Sequence, residues 1–558
     1  MRQLVQETDV PTLEIPRAPL LWVLVPQILG CLAGLNTGME PSLLWAAGGG
    51  AFLVMVLIKG WGSPAGKCAG VWAVFFLSWG WMETREADIV GQDILELPPR
   101  AAGIEVEVQR VFRQTDKYGR VSGIGQVRDA PVEMDYLLGQ GIYFLAYRKD
   151  LGDGLIQGAR VTFKGIIYPM GWEGEEPDGF DEYLEKNGIL FKMHRAILAG
   201  IDPNLPLFQG FCHRANLRAQ EILRTGPGGD SPAADARVAM MLGDKEALEY
   251  DWKHAFKRSG TMHLFAISGL HVGILAMSLA FLLRFTPLPQ WGQVFTGLGV
   301  LWLYVQVTGG QPSAIRAFIM AAIFWGGAIV LRKGSPFAAL VASAVLVLAM
   351  NPLDLVQLGF QLSYAVVWVI LLYGIPLGEA IQDKWAAEAK FIPPESISFS
   401  QKARISLKQA ISTAFGICFA AMLASTPLMV GHFGLLVIGG ILLNMLVSFA
   451  AFISILLGAA SLLFGIFYIS PVVAFLNILS GRLIDLMLIL VSWSVSIPGY
   501  YYETTFRHGL FAPGIVVMLL ALLALLQKFR PRLGIHFFWI PPVACAIVIA
   551  LAIVPAPL

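Results

Sequence analysis

The stretch "SGTMHLFAISGLHVGIL", Ser259 to Leu275, is apolar enough to sit in a membrane, yet it carries two histidines, two serines, a threonine and three glycines. A polar group left against hydrocarbon without a hydrogen bond costs roughly 2–7 kcal/mol. The stretch therefore needs an interior in which those groups find partners or water. Polar side chains inside membrane segments default to functional hypotheses for that reason. The bland alternative is a histidine satisfied by a backbone carbonyl. His263 and His271 are eight residues apart, about 80° around a continuous helix at 3.6 residues per turn, so both can face one interior. Gly269 and Gly273 form a GxxxG, a spacing that lets a second helix backbone approach closely.

The rest of the chain supports a membrane setting. Its 558 residues are 56% apolar and 14% charged, with a mean hydropathy of +0.64. A soluble chain of this length would need more charge to cover its surface. Net charge is +1, so global charge names no partner. The five cysteines (Cys31, Cys68, Cys212, Cys418 and Cys545) show neither CxxC nor metal-ligand spacing and read as small core residues. Residues 1–18 include Glu7, Asp9, Pro11, Glu14 and Pro16, too acidic and broken for a signal peptide, so the next apolar run is expected to stay as a helix.

Apolar runs near bilayer length predict a polytopic α-helical membrane protein with about 11–13 transmembrane or re-entrant helices and one inserted small all-β domain. Residues 1–82 hold three spans. Residues 83–203 alternate apolar and polar residues in "GIEVEVQRVFRQ" and "GARVTFKGIIYP", a period of two broken by Gly, Asp and Pro that predicts a small β barrel of OB type. Residues 204–258 read as amphipathic connecting helices lying along the membrane. Residues 259–500 form the main membrane domain, and 501–558 carry the last spans. Lys59 and Lys67, Arg284, Arg332–Lys333, Lys402–Arg404–Lys408 and Lys528–Arg530–Arg532 alternate to one side, which the positive-inside rule assigns to the cytoplasm. The N-terminus is thus expected inside and the β domain outside.

The β domain has 14 Lys and Arg against 21 Asp and Glu, so it is acidic overall. Its basic residues nevertheless cluster at Arg110, Arg113, Lys117, Arg120 and Arg128, with Phe112 and Tyr118 among them. Single-stranded nucleic acid is held by that combination, phosphates on cations and bases on rings. A solvated hairpin explains the same residues.

Three further stretches place polar groups in apolar helices. In "TGGQPSAIRAFIM", Pro312 suits a first turn and Arg316 lies one turn in, where a guanidinium needs water, an anion or an interface. In "NPLDLVQLGFQLSYAVVW", Asn351–Pro352 reads as a helix start that Asp354 can cap, followed by Gln361, Ser363 and Tyr364. "LLNMLVSF" adds Asn444. Interhelical hydrogen bonding accounts for each alone; together they suggest a polar interior. No P-loop, HExxH or HxHxDH run is present, so the sequence offers no catalytic residue, cofactor or metal site. An intramembrane hydrolase using Ser268 with His271 lacks an evident third member.

"HAFKRSGTMHLFAISGLHVGIL" closely resembles the signature of the ComEC-type competence protein family, inner-membrane channels for DNA uptake. "TGGQPSAIRAFIM" and "NPLDLVQLGFQLSYA" resemble that family's next two motifs in order, and "PDGFDEYLEKNGIL" resembles the segment that closes its OB-like region. The resemblance implies import of one strand of transforming DNA, single-stranded DNA and the lipid bilayer as partners, and a periplasmic DNA receptor and a cytoplasmic helicase-like ATPase acting with it. It points to His263, Ser268, His271, Arg316, Gln361 and Asn444 as functional positions, and Tyr364 joins them as a ring for stacking. Two departures stand out. Many members end in a metallo-β-lactamase-like domain and this sequence shows none, so strand degradation would fall to a separate nuclease. Some members carry a disulfide in the OB-like region, and residues 83–203 contain no cysteine. A transporter of another polar or lipidic substrate, or a degenerate homologue without transformation activity, would show the same bundle.

Overall fold

Periodicity settles which segments are helices, and the backbone bears this out. The computed structural model describes residues 18–35, 37, 39–57, 63–87, 97–113, 120–147, 155–170, 172, 179–202, 206–244, 248–265, 267–331, 335–385 and 398–555. Helices α1 (Leu21–Gly34), α2 (Pro41–Leu57) and α3 (Pro64–Ala87) come first. Glu83 of α3, buried, ties down the turn between α1 and α2. Its Oε1 accepts from the Thr37 hydroxyl at 2.7 Å, the Met39 N–H at 3.1 Å and the Trp79 indole at 3.1 Å.

A five-stranded barrel follows: β1 (Arg100–Arg113), β2 (Arg120–Asp129), β3 (Gly141–Tyr147), β4 (Arg160–Pro169) and β5 (Ile189–Ile201), closed in the order β1-β2-β3-β5-β4. All pairs are antiparallel except β3–β5. The inward positions of the alternating pattern (Val106, Phe144, Val161, Phe163 and Met193 among them) pack into one core, which removes the exposed sheet edges a small β domain would otherwise carry. Helix α4 (Gly179–Lys186) bridges β4 and β5, with Leu184 fully buried against the barrel wall. The expected small OB-like barrel is present, its strands running from Arg100 to Ile201.

Then come α5 (Leu207–Arg224), α6 (Pro232–Leu242), α7 (Tyr250–Arg258), α8 (Gly269–Leu283), α9 (Gln290–Val307), α10 (Pro312–Leu331), α11 (Pro336–Met350), and α12 (Leu358–Val369), which runs through a π-helical turn into α13 (Ile375–Trp385). Last are α14 (Phe399–Phe433), α15 (Gly440–Ile466), α16 (Ser470–Val495), α17 (Phe511–Leu533) and α18 (Ile540–Ala552). Among the described residues six helical stretches are long and apolar enough to cross a bilayer, and five shorter apolar helices join them. The protein is a polytopic helical membrane protein carrying a small barrel.

Three sequence expectations need correction. Helix α6 does not lie along a surface. Every residue from Ala233 to Leu242 except the half-buried Asp235 is buried, because the side that carries Arg237 packs against α16 rather than facing solvent. The GxxxG of Gly269 and Gly273 makes no close crossing: a Cβ on Gly269 would come no nearer than 3.9 Å to Ala317, and one on Gly273 meets nothing within 4 Å. The close approach is made elsewhere, where a Cβ on Gly374 would lie 2.8 Å from the Gly416 carbonyl oxygen and one on Gly378 3.1 Å from that of Ser412. Finally, Asn351–Pro352 opens a 3-10 turn, Pro352–Val356, rather than the helix, which starts at Leu358.

Three short strands, β6 (Leu435–Val437), β7 (Tyr501–Phe506) and β8 (Ile553–Pro555), form a second sheet in the order β6-β7-β8. They follow α14, α16 and α18, so the sheet gathers three helix ends on one side of the bundle.

Candidate functional site

His263 and His271 do not share a helix as expected. Residues 262–264 form one 3-10 turn and α8 begins only at Gly269, so the 80° relation does not apply. The reason is local. Ser268 has extended backbone angles and its Oγ accepts from the Leu270 N–H at 3.3 Å, while His271 Nδ1 accepts from the Ser268 N–H at 3.4 Å. This reciprocal pair is a capping box, with histidine where glutamate or glutamine usually stands. The "ISGLH" run is thus first of all a helix start.

The two rings still come within electrostatic reach of one another. His263 keeps an exposed side chain, its Nδ1 3.3 Å from the Gly260 carbonyl oxygen. His271 is fully buried.

Helix α10 docks beside this start. Ser313 in its first turn donates to the Ile267 carbonyl at 2.6 Å. One turn on, Arg316 is 4% exposed, so it does not snorkel to an interface. Its Nη2 reaches the Ser363 hydroxyl of α12 at 3.3 Å and lies against Gly359, where a Cβ would stand only 3.1 Å from it. The Nε is buried with no hydrogen-bond partner. Asp354 and Tyr364 act on the guanidinium electrostatically. Asp354 sits in the turn before α12, held by the Asn351 amide at 2.7 Å; burial pushes its carboxyl up and Arg316 opposes this. Tyr364 is buried, its ring 4.4 Å from that of Phe360. Gln361 turns back instead, donating to the Leu355 carbonyl at 3.1 Å, and serves its own helix start.

Asn444 joins from the other end of the 259–268 segment. A Cβ on Gly440 would lie 3.4 Å from Asn444 Nδ2 and 3.8 Å from the Ser259 carbonyl, and Asn444 Oδ1 is buried without a partner. Ser259 and Thr261, both fully buried, share a 2.6 Å hydrogen bond.

All these side chains obey one rule of position. His271 is the third residue of α8, Arg316 the fifth of α10, Gln361, Ser363 and Tyr364 the fourth to seventh of α12, and Asn444 the fifth of α15. At 1.5 Å per residue each lies within about 10 Å of its helix start. The polar motifs are therefore a strip along four neighbouring helix N-termini, joined by the Ser259–Ser268 segment, and do not run the length of a pore. Helix N-termini carry partial positive charge and free N–H groups, so the strip suits an anion.

The barrel candidates are already engaged. Arg128 pairs with Glu107 at 2.8 Å. Arg110 donates to the Tyr183 hydroxyl at 3.2 Å and lies 5.3 Å from the centre of the Phe112 ring. Phe112 and Tyr143 pack against Phe180 and Tyr183 of α4. Arg120 lies on β2 with partners of its own, and Arg113 ends β1. Lys117 and Tyr118 lie outside the described residues. The barrel touches the strip's neighbourhood through Asn187, which accepts from Gln357 Nε2 at 3.2 Å just ahead of α12.

Sequence reasoning passed over Ser313, Gly359 and the Ser259–Thr261 pair. The available signal was small or polar residues in the first turn of otherwise apolar helices.

A family model described as "Competence protein" matches residues 240–530, slightly more than half of the chain and the whole of this strip. The chain belongs to the competence protein family. It is 30% identical over 208 residues to ComE operon protein 3 of Bacillus subtilis (strain 168), covering 37% of this chain and 23% of that protein. Competence protein ComA of Neisseria gonorrhoeae is 28% identical over 176 residues, 29% of this chain and 25% of the relative. The uncharacterized protein YcaI of Escherichia coli (strain K12) is 26% identical over 149 residues, 24% and 19% respectively. The matched stretches thus span a quarter or less of these relatives' lengths. No solved structure matches.

Proposed function

We propose that this protein conducts single-stranded transforming DNA across the cytoplasmic membrane, with entry at the strip of helix starts formed by His263, Ser268, His271, Arg316, Gln361, Tyr364 and Asn444. The observation that carries this reading is Arg316: a guanidinium 96% withdrawn from solvent, with Nε unpartnered, among converging helix N-termini in a competence-family chain. Such a cation calls for an anion of low sequence content, and a phosphodiester backbone is one. The exposed His263 ring would offer stacking surface, the other half of single-strand binding.

Orientation follows from charge. Arg284, Lys402, Arg404, Lys408, Arg530 and Arg532 lie at the helix ends opposite the strip, which supports a cytoplasmic assignment there and an extracytoplasmic barrel and strip. Arg110, Arg113, Lys117, Tyr118, Arg120 and Arg128 would then meet DNA first. Transport in this reading draws on a DNA receptor and a helicase-like motor from other chains.

A second reading, transport of another polar or lipidic substrate, draws support from the barrel, whose net charge is acidic and whose Arg110 and Arg128 are internally paired. Transformation with labelled linear DNA in a strain deleted for this chain tests both. Loss of transformants with DNA still reaching the surface supports uptake; unchanged frequency in a competent host refutes it.

A further inference from the structure

His271 has more to give than a cap. Its Nδ1 accepts the Ser268 N–H at 3.4 Å and stands 3.0 Å from Ser268 Oγ, whose own lone pair already takes the Leu270 N–H. Nδ1 is therefore the unprotonated nitrogen, and in a neutral imidazole the proton must then sit on Nε2. That Nε2–H is buried and has no acceptor among the described residues, on a residue with no exposed surface. A buried donor without a partner is costly to keep. Glutamate would cap the same helix start and leave no such donor.

The neighbourhood says what kind of acceptor suits it. The Nε2–H sits at the N-terminal turn of the fifteen-residue α8, beside the accessible His263 ring and one helix away from the buried Arg316. Positive potential from a helix start favours an anionic oxygen over a neutral one.

We propose that His271 donates its Nε2–H to a phosphodiester oxygen of the translocating strand, the capping box serving to fix the tautomer and aim of the ring. This rests on the DNA-uptake reading above. The contact would be blind to base sequence, since phosphate contacts position a strand without reading it.

The test separates the cap from the donor. H271Q and H271E both keep a side chain able to accept the Ser268 N–H; glutamate has no N–H to donate, and the glutamine amide N–H stands beside its accepting oxygen instead of across a ring from it. Each is compared with wild-type protein expressed at matched membrane abundance, reading transformants per cell with several unrelated donor sequences. The expected result is at least a 100-fold loss for both variants, equal across donors, with abundance retained. Transformation within about threefold of wild type for either variant would overturn the proposal and leave His271 as a cap. Failure of both variants to accumulate would also overturn it, because the Nε2–H would then have a partner within the fold. A deletion strain that transforms normally defeats the uptake reading itself, a result distinguishable from either of these.

Discussion

Replacing Asn477 by Leu should damage the fold more than removing the buried arginine beside it. Asn477 Nδ2 donates to the Ile222 and Thr225 carbonyls at 2.8 and 2.9 Å, and its Oδ1 accepts from Ser461 at 2.8 Å. Those carbonyls belong to the end of α5, where the last turn has no helical partners of its own. Each buried polar group left unmade costs roughly 1–3 kcal/mol. The Ile222 carbonyl keeps the Thr225 N–H at 3.1 Å, but the Thr225 carbonyl and the Ser461 hydroxyl lose their Asn477 partner, which puts Asn477→Leu at about 4 kcal/mol of lost stability. Arg237→Met strands one group, the Leu223 carbonyl now held at 2.9 Å, because the Asn477 carbonyl at 2.6 Å lies inside α16 and keeps its helical N–H; it also lifts a cost. Burial, reinforced by the Arg224 charge, pulls the Arg237 pKa well below the usual guanidinium range, to about 10. A cation whose pKa falls on folding opposes the fold below the lowered value, and that opposition fades as pH rises through it. At pH 7 this penalty is fully present, so Arg237→Met should cost less stability than Asn477→Leu. Tryptophan fluorescence of the purified protein during thermal unfolding in detergent would rank the two. Equal midpoints, or a lower one for Arg237→Met, would refute the reasoning.

Other outcomes follow from single contacts. Arg316→Ala should abolish transformation without lowering membrane abundance, whereas equal loss of both would make Arg316 structural. Gly359→Ala, whose Cβ would press on Arg316 Nη2 at 3.1 Å, should reduce transformation in the same assay while leaving protein levels unchanged. Gly374→Leu should lower the unfolding midpoint by an amount equivalent to about 1–3 kcal/mol, because the backbones of the π turn and α14 are too close to admit a side chain. Arg128→Ala, which breaks a half-exposed pair with Glu107, should change stability by less than about 1 kcal/mol.

The helices and the barrel were legible in the sequence because each follows a period that one face of the structure uses. What stayed hidden depends on partners far along the chain. "DARVAMML" reads as amphipathic, yet Arg237 is satisfied by carbonyls of Leu223 and Asn477, so its polar side is as buried as its apolar one. Two glycine pairs with the same spacing, Gly269/Gly273 and Gly374/Gly378, look alike in sequence, and only the second has Gly416 facing it. The site residues were legible as a list. Their common position at helix starts was not, because it depends on the break at 265–268 that puts His263 and His271 on different elements.

The β6-β7-β8 sheet has a consequence for timing. Its strands leave the ribosome far apart: β6 after α14, β7 only once the α15–α16 hairpin is made, and β8 after α18. Until β8 emerges, β7 has only β6 beside it, and the three helix ends they join have no common clasp. Closure of that sheet thus marks a correct insertion of the helices between its strands, α15 to α18, since one of these inverted would put a strand on the wrong side of the bilayer.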